Sequence, residues 1–249
     1  MKFLTFSCIS LLAFSASATE ITSPFYLPEM GHVLNQTNAH YTKNKMKANP
    51  TIHTYQRSVN DELTIGLGTG LAALINGDIN WTKQKQGVSF SAPHTTGYAA
   101  GLKGQFNLNS ILVQLSTLYH QTTDIHFSPR RQIEADLRLG KELKTMTPYL
   151  HLNTFLPLNA RPEINNPIYL AETGVFQNVN DKMTLDSALY LRYDKNIKGR
   201  SYGIREELSY LITSWMAFGI KGEWQARGKA KNGAHTYHKS AGINLRFSF

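Results

Sequence analysis

Cysteine is almost absent from this 249-residue chain: the single one, Cys8, sits in the first apolar run, so no pair exists to form an internal disulfide. Long apolar stretches are scarce as well. Beyond the N-terminus nothing approaches the roughly 18 consecutive apolar residues of a transmembrane helix. Any membrane crossing would therefore need strands closed into a barrel, the other arrangement that leaves no backbone group unpaired in lipid. Acid is the minority charge, with 17 Asp+Glu against 26 Lys+Arg and a formal net charge of +9. A basic balance admits nucleic acid, a membrane surface or an anionic ligand as partner. No nucleic-acid recognition motif is present, and no Pro/Ser-rich linker divides the chain, so one domain without a nucleic-acid partner is expected.

Motifs that carry chemistry are missing too. The run Gly68 to Ala73, "GTGLAA", fits a dinucleotide-binding fingerprint, but no acid occurs between Asp78 and Asp124 and the turn signal Asn76-Gly77-Asp78 follows at once. Those glycines are better read as room inside a barrel. Nine histidines are scattered; His235 and His238 come nearest to a pair, without helical spacing or a cysteine companion, so neither a metal nor a cofactor is expected. Asp124 and His126 are the nearest approach to the acid–histidine sets of barrel proteases, and the His-x-Ser-Asn-Gly type of run of the barrel phospholipases does not occur. The chain is expected not to be an enzyme, with no catalytic residue nominated.

What is present begins with Lys2 and the apolar run "FLTFSCISLLAFSASA", closing on Ala16 and Ala18, which reads as a secretory signal peptide over 1–18. Residues 19–32 contain Pro24 and Pro28 and make a poor strand, hence a periplasmic arm or partial plug. From 33 to 249 the pattern is alternation. At the C-terminus, Ala241, Ile243, Leu245, Phe247 and Phe249 are apolar, while Gly242, Asn244, Arg246 and Ser248 are small or polar. Such a terminus must be tied down, since free chain ends usually fray.

The pattern predicts an antiparallel, all-β, up-and-down transmembrane barrel of about twelve strands, roughly ten to fourteen being compatible with it. The strands fall near 33–46, 51–72, 78–86, 94–106, 111–121, 131–142, 147–156, 168–177, 183–194, 200–211, 215–226 and 235–249. Short turns near 76–78, 107–109, 141–146, 178–182 and 211–214 alternate with longer polar connections, as periplasmic turns and external loops do in outer-membrane barrels. Aromatic residues near strand ends, Trp81, Phe106, Trp215 and Phe249 at one level and Trp224 and Tyr237 at the other, are expected to anchor the barrel at the two membrane surfaces.

Several strands carry charge on the second face. Glu134, Asp136 and Arg138, then Asp186 and Arg192, then Lys221, Glu223 and Arg227, and finally Arg246 are predicted to line a pore. One strand breaks the rule. In 200–211, Tyr202, Ile204, Glu206, Leu208 and Tyr210 share a face suited to lipid, which puts an acid there unless a bulge, a protein partner or another register intervenes. Basic residues including Lys83, Lys85, Arg130, Arg131, Arg161, Lys195, Lys198, Arg200, Lys229 and Lys231 cluster at the long connections, where lipopolysaccharide phosphates would meet them.

The terminal strand resembles the C-terminal targeting signal of Gram-negative outer-membrane proteins, carried here by Ser240, Gly242, Leu245, Phe247 and the final Phe249. The resemblance implies export to the outer membrane and recognition of that strand by the barrel assembly machinery. The segment "SPFYLPEMG" at 23–31 is similar to the leading segment of uncharacterised relatives of an outer-membrane family named for a phenol-degradation pathway. The function expected from these readings is a passive channel for small hydrophilic solutes. The alternative is a closed barrel acting as an adhesive or structural surface protein through basic external loops, with a barrel enzyme third.

Overall fold

The computed structural model describes residues 20–47, 51–86, 88–91, 94–124, 127–159, 166–196, 199–229 and 235–249. The expected signal peptide, His126, Arg161, Lys198 and Lys231 lie outside them, as do the side chains of Asp124, Arg227, Lys229 and His235. Among the described residues thirteen strands are formed: β1 (Val33–Lys47), β2 (Ile52–Gly68), β3 (Leu71–Gln86), β4 (Val88–Ser91), β5 (Thr95–Leu108), β6 (Ile111–Asp124), β7 (Phe127–Gly140), β8 (Met146–Pro157), β9 (Ile168–Asn178), β10 (Met183–Asp194), β11 (Gly199–Thr213), β12 (Met216–Lys229) and β13 (His235–Ser248). The short β4 pairs with the far end of β3. The other twelve pair antiparallel with their neighbours in chain order, and β13 pairs with β1 to close the ring. The fold is a closed twelve-stranded antiparallel barrel, and closure leaves its wall without a free edge.

Burial is inverted relative to a water-soluble protein. Outward-facing Leu189, Ile220 and Ile243 are 59%, 50% and 47% exposed, whereas inward-facing Gln114, Asn244 and Glu172 are 1%, 2% and 6% exposed. Apolar side chains outside and polar ones inside suit a wall whose outer solvent is lipid. Closure is tight at the chain ends: Val33 N–H donates to Phe249 O at 2.6 Å, and Phe249 N–H to Val33 O at 3.0 Å. The terminal phenylalanine is held by the first strand rather than fraying.

Two readings of the sequence need correction. Asn76-Gly77-Asp78 is not a hairpin turn but lies within β3; the chain reverses at Thr69-Gly70, where Gly70 adopts a φ of +72°. Asn76 and Asp78 tolerate strand geometry because they face the polar interior, where Asn60 Nδ2 donates to Asn76 Oδ1 at 2.8 Å. In consequence Trp81 does not lie beside a short turn: it sits well along β3, outward and opposite Arg57. Glu206 is on the outer face, paired across strands with Ser187 and Gly222 in unbroken register, so no bulge turns it inward.

Candidate functional site

The interior follows from the twofold period: alternate residues of every strand point inward, and opposite charges on the same, adjacent or next-but-one strands pair there. They surround a cavity of about 640 Å³. Glu134, Asp136, Arg138, Asp186, Arg192, Lys221, Glu223 and Arg246 all line it, brought there by four different strands, β7, β10, β12 and β13. Arg227, the ninth nominated residue, has no described side chain.

Arg205, which sequence reasoning did not nominate, joins one side of the cavity. Its Nη2 and Nε donate to Glu172 Oε1 and Oε2 at 2.7 and 3.2 Å, and its Nη1 donates to Asp186 Oδ2 at 3.0 Å. The Tyr149 hydroxyl accepts from Arg205 Nη2 at 2.8 Å and donates to Asp186 at 2.7 Å. His151 extends the set, bonding Asp136 through Nε2 and approaching Glu172 at 3.6 Å through Nδ1. Glu134 takes His120 at 2.6 Å and Asn153 at 2.5 Å. Across the barrel, Glu207 accepts from Arg246 Nη2 at 2.5 Å and from Asn244 Nδ2 at 2.7 Å. Glu172, Asp186 and Glu207, the buried acids of this set, each have a cationic partner and further hydrogen bonds, as burial of a charge requires.

Three cations are left over. Lys103, Arg192 and Lys221 face the same cavity and form no ion pair among the described residues. A mobile anion or a polar solute entering the cavity would therefore meet charge not already neutralised.

One end of the cavity is capped by the chain itself. Residues 20–32 begin with a single 3-10 turn (Glu20–Thr22) and run inside the barrel at its short-turn end. Ile21 and Phe25 are buried: Ile21 packs with Leu211 and Ala217, and Phe25 with Leu112, Phe176 and the edge of the Tyr149 ring. Three inward side chains hold the segment's carbonyls: Arg246 Nη1 on Thr22 O at 2.8 Å, Arg138 Nη1 on Pro24 O at 2.8 Å, and Gln114 Nε2 on Phe25 O at 3.4 Å. Gly66 and Gly140 give it room. A β-carbon on Gly66 would meet the Glu29 and Pro28 carbonyl oxygens, and one on Gly140 the Phe25 ring. Thus Arg138 and Arg246 serve both the charge network and the cap.

Among the described residues no group of three His, Cys, Asp or Glu side chains is placed to hold a metal ion. His238 points inward, its Nδ1 2.7 Å from Asn44 Oδ1, rather than towards the surface.

Comparison with known proteins finds no matching family model and no matching curated protein. Solved structures do match. An outer membrane channel from Pseudomonas putida F1 aligns with a TM-score of 0.69 at 9% identity, over 90% of this chain and 97% of that one. The chain has an outer-membrane β-barrel fold. The transport unit of the autotransporter AIDA-I from Escherichia coli gives 0.56 at 12% identity, over 93% and 97%. The toluene transporter TbuX of Ralstonia pickettii gives 0.52 at 10%, over 94% of each chain. At these identities the likeness is one of fold, and solute and mechanism must be argued from the cavity.

Proposed function

We propose that this protein is a non-enzymatic outer-membrane channel of a Gram-negative bacterium, through which small hydrophilic solutes pass by diffusion. In this reading the short-turn end faces the periplasm, the long loops face outward, and the 20–32 segment narrows the periplasmic mouth. The observation that carries it is the interior cavity of about 640 Å³, lined by carboxylates and cations from most of the wall. A closed structural barrel would be better filled with apolar side chains, since buried ion pairs are weak contributors to stability. An aromatic hydrocarbon of the kind named for TbuX would have to displace water from charged groups without replacing its hydrogen bonds, which is unfavourable. Polar solutes keep those bonds.

Single-channel recording in planar bilayers tests the reading. Reproducible conductance steps are expected, with the reversal potential in a salt gradient shifted towards cations by Lys103→Glu, Lys221→Glu or Arg192→Glu. Silence from protein shown to be folded and inserted would return the closed-barrel alternative. Steps whose selectivity ignores all three substitutions would remove these residues from the conducting path.

A further inference from the structure

The outer face changes character at the long-loop end of four adjacent strands, β13, β1, β2 and β3. Strand pairing sets Lys239 opposite Lys43, Lys43 opposite Tyr55, and Tyr55 opposite Lys83. In the next row towards the barrel's middle, Ala241, Tyr41, Arg57 and Trp81 stand opposite one another in turn. These residues share the outward parity of their strands. Lys43, Arg57, Lys83 and Lys239 are exposed, and among the described residues none has a carboxylate within ion-pair distance. Lys43 lies over the Tyr55 ring, 5.7 Å from its centroid. Like charges directly opposite across an antiparallel pair destabilise it. An anion from outside the chain would reverse that effect.

Beside the cations the wall is grooved. A recess of about 780 Å³ opens on the outer surface, lined by Ala39, Tyr41, Arg57, Val59, Trp81 and Ala241. Small Ala39 and Ala241 make its floor low, while the aromatic rings of Tyr41 and Trp81 give it sides. Arg57 belongs to both the recess and the basic rows. A ligand matching this surface carries several negative charges at one end and hydrocarbon at the other. Bidentate guanidinium and ammonium donors suit phosphate, and an apolar groove suits an acyl chain.

We propose that this face binds one phosphorylated, multiply acylated glycolipid of the outer leaflet, lipopolysaccharide, with its phosphates on Lys43, Lys83, Lys239 and Arg57 and an acyl chain in the Ala39–Ala241 groove. The proposal rests on the orientation adopted above, which brings this end to the outer leaflet, and does not need an open channel. The site is separate from the cavity, so its variants leave conductance unchanged, and failure of one reading is distinguishable from failure of the other.

Native mass spectrometry of the folded full-length barrel, titrated with bisphosphorylated lipid A, tests it. The Lys43→Gln/Arg57→Gln/Lys239→Gln variant is expected to bind at least about tenfold more weakly, while Lys43→Arg retains binding. Ala241→Phe fills the groove; it should weaken lipid A while leaving the affinity for inorganic pyrophosphate unchanged, and it carries the test alone if the triple variant does not fold. Equal lipid A affinity in the triple variant and the parent would overturn the proposal. Pyrophosphate binding as tight as lipid A, or lipid A binding indifferent to Ala241→Phe, would show a soluble-anion site instead.

Discussion

Arg205 shows how a single side chain can organise the interior. Its fork serves Glu172, Asp186 and the Tyr149 hydroxyl at once, so its removal strands two carboxylates that are 6% and 8% exposed. Arg205→Met is expected to destabilise the folded barrel by about 3–5 kcal/mol, the range for breaking a buried pair by deleting one partner. Adding Glu172→Gln and Asp186→Asn should recover much of that loss, because the uncompensated charge is what makes the single change unfavourable. Urea titration in detergent micelles, followed by the gel mobility shift between folded and unfolded barrel, would read both. Triple and single variants of equal stability would mean that lost packing, not stranded charge, is the cause. This centre was only partly legible. Asp186 alternates cleanly with leucines and was recognisable as inward, but Arg205 lies on a strand with charge on both faces, and Glu172 is a lone acid in "LAETGVF", where no repeated charge marks a face.

At the scale of elements, the segment before β1 is held by contacts that span the whole chain. Thr22 and Arg246, or Phe25 and Tyr149, are far apart in sequence, and no local pattern announces them. What could be read locally was that Pro24 and Pro28 keep 19–32 out of the sheet. Gly68 and Gly70, read as space inside the barrel, lie instead at the reversal between β2 and β3; Gly66, just before them, is the glycine that gives room, as it lies under the Glu29 carbonyl. Gly66→Val is expected to expel the segment while the strands stay paired, since the clash is with backbone that cannot rotate away. Chymotrypsin should then cut at Phe25 or Tyr26, which the parent protects by burial, and conductance should rise several-fold if this segment is the constriction, as the channel reading requires. Protection equal to the parent's would show that the segment accommodates the side chain. The misplaced turn has the same origin as the missed contacts. Asn76-Gly77-Asp78 has hairpin chemistry, but a polar lumen accepts Asn and Asp in mid-strand, so turn propensity loses its meaning on that face.

For the whole molecule, alternation was enough to give the barrel and its strand number, because a membrane wall must put apolar groups on one face of every strand and close without edges. That rule also makes exceptions informative. Two acids, Asp61 and Glu206, face outward and exposed from strands on either side of the closure between β13 and β1. Asp61 is compensated locally, accepting from Thr37 Oγ1 at 2.8 Å and from Asn35 Nδ2 at 3.1 Å. Glu206 has Ser187 and Gly222 as its cross-strand neighbours and makes no hydrogen bond or ion pair among the described residues. An uncompensated acid on the lipid face is unfavourable by an amount that grows with depth, below the roughly 2–4 kcal/mol of Lys or Arg at the bilayer midplane. In a bilayer of neutral lipid, Glu206→Leu is therefore expected to stabilise the barrel by about 1–2 kcal/mol. Asp61→Leu should do the opposite, because it removes the carboxylate that Asn35 Nδ2 and Thr37 Oγ1 share and leaves only the long 3.5 Å bond from Thr37 to Asn35 Oδ1. Equilibrium unfolding in vesicles, with both variants compared to the parent, separates the two. If Glu206→Leu destabilises as Asp61→Leu does, lipid alone does not cover that face. Glu206 would then be satisfied by a cationic or hydrogen-bonding partner, for which crosslinking from that position in intact membranes would be the direct search.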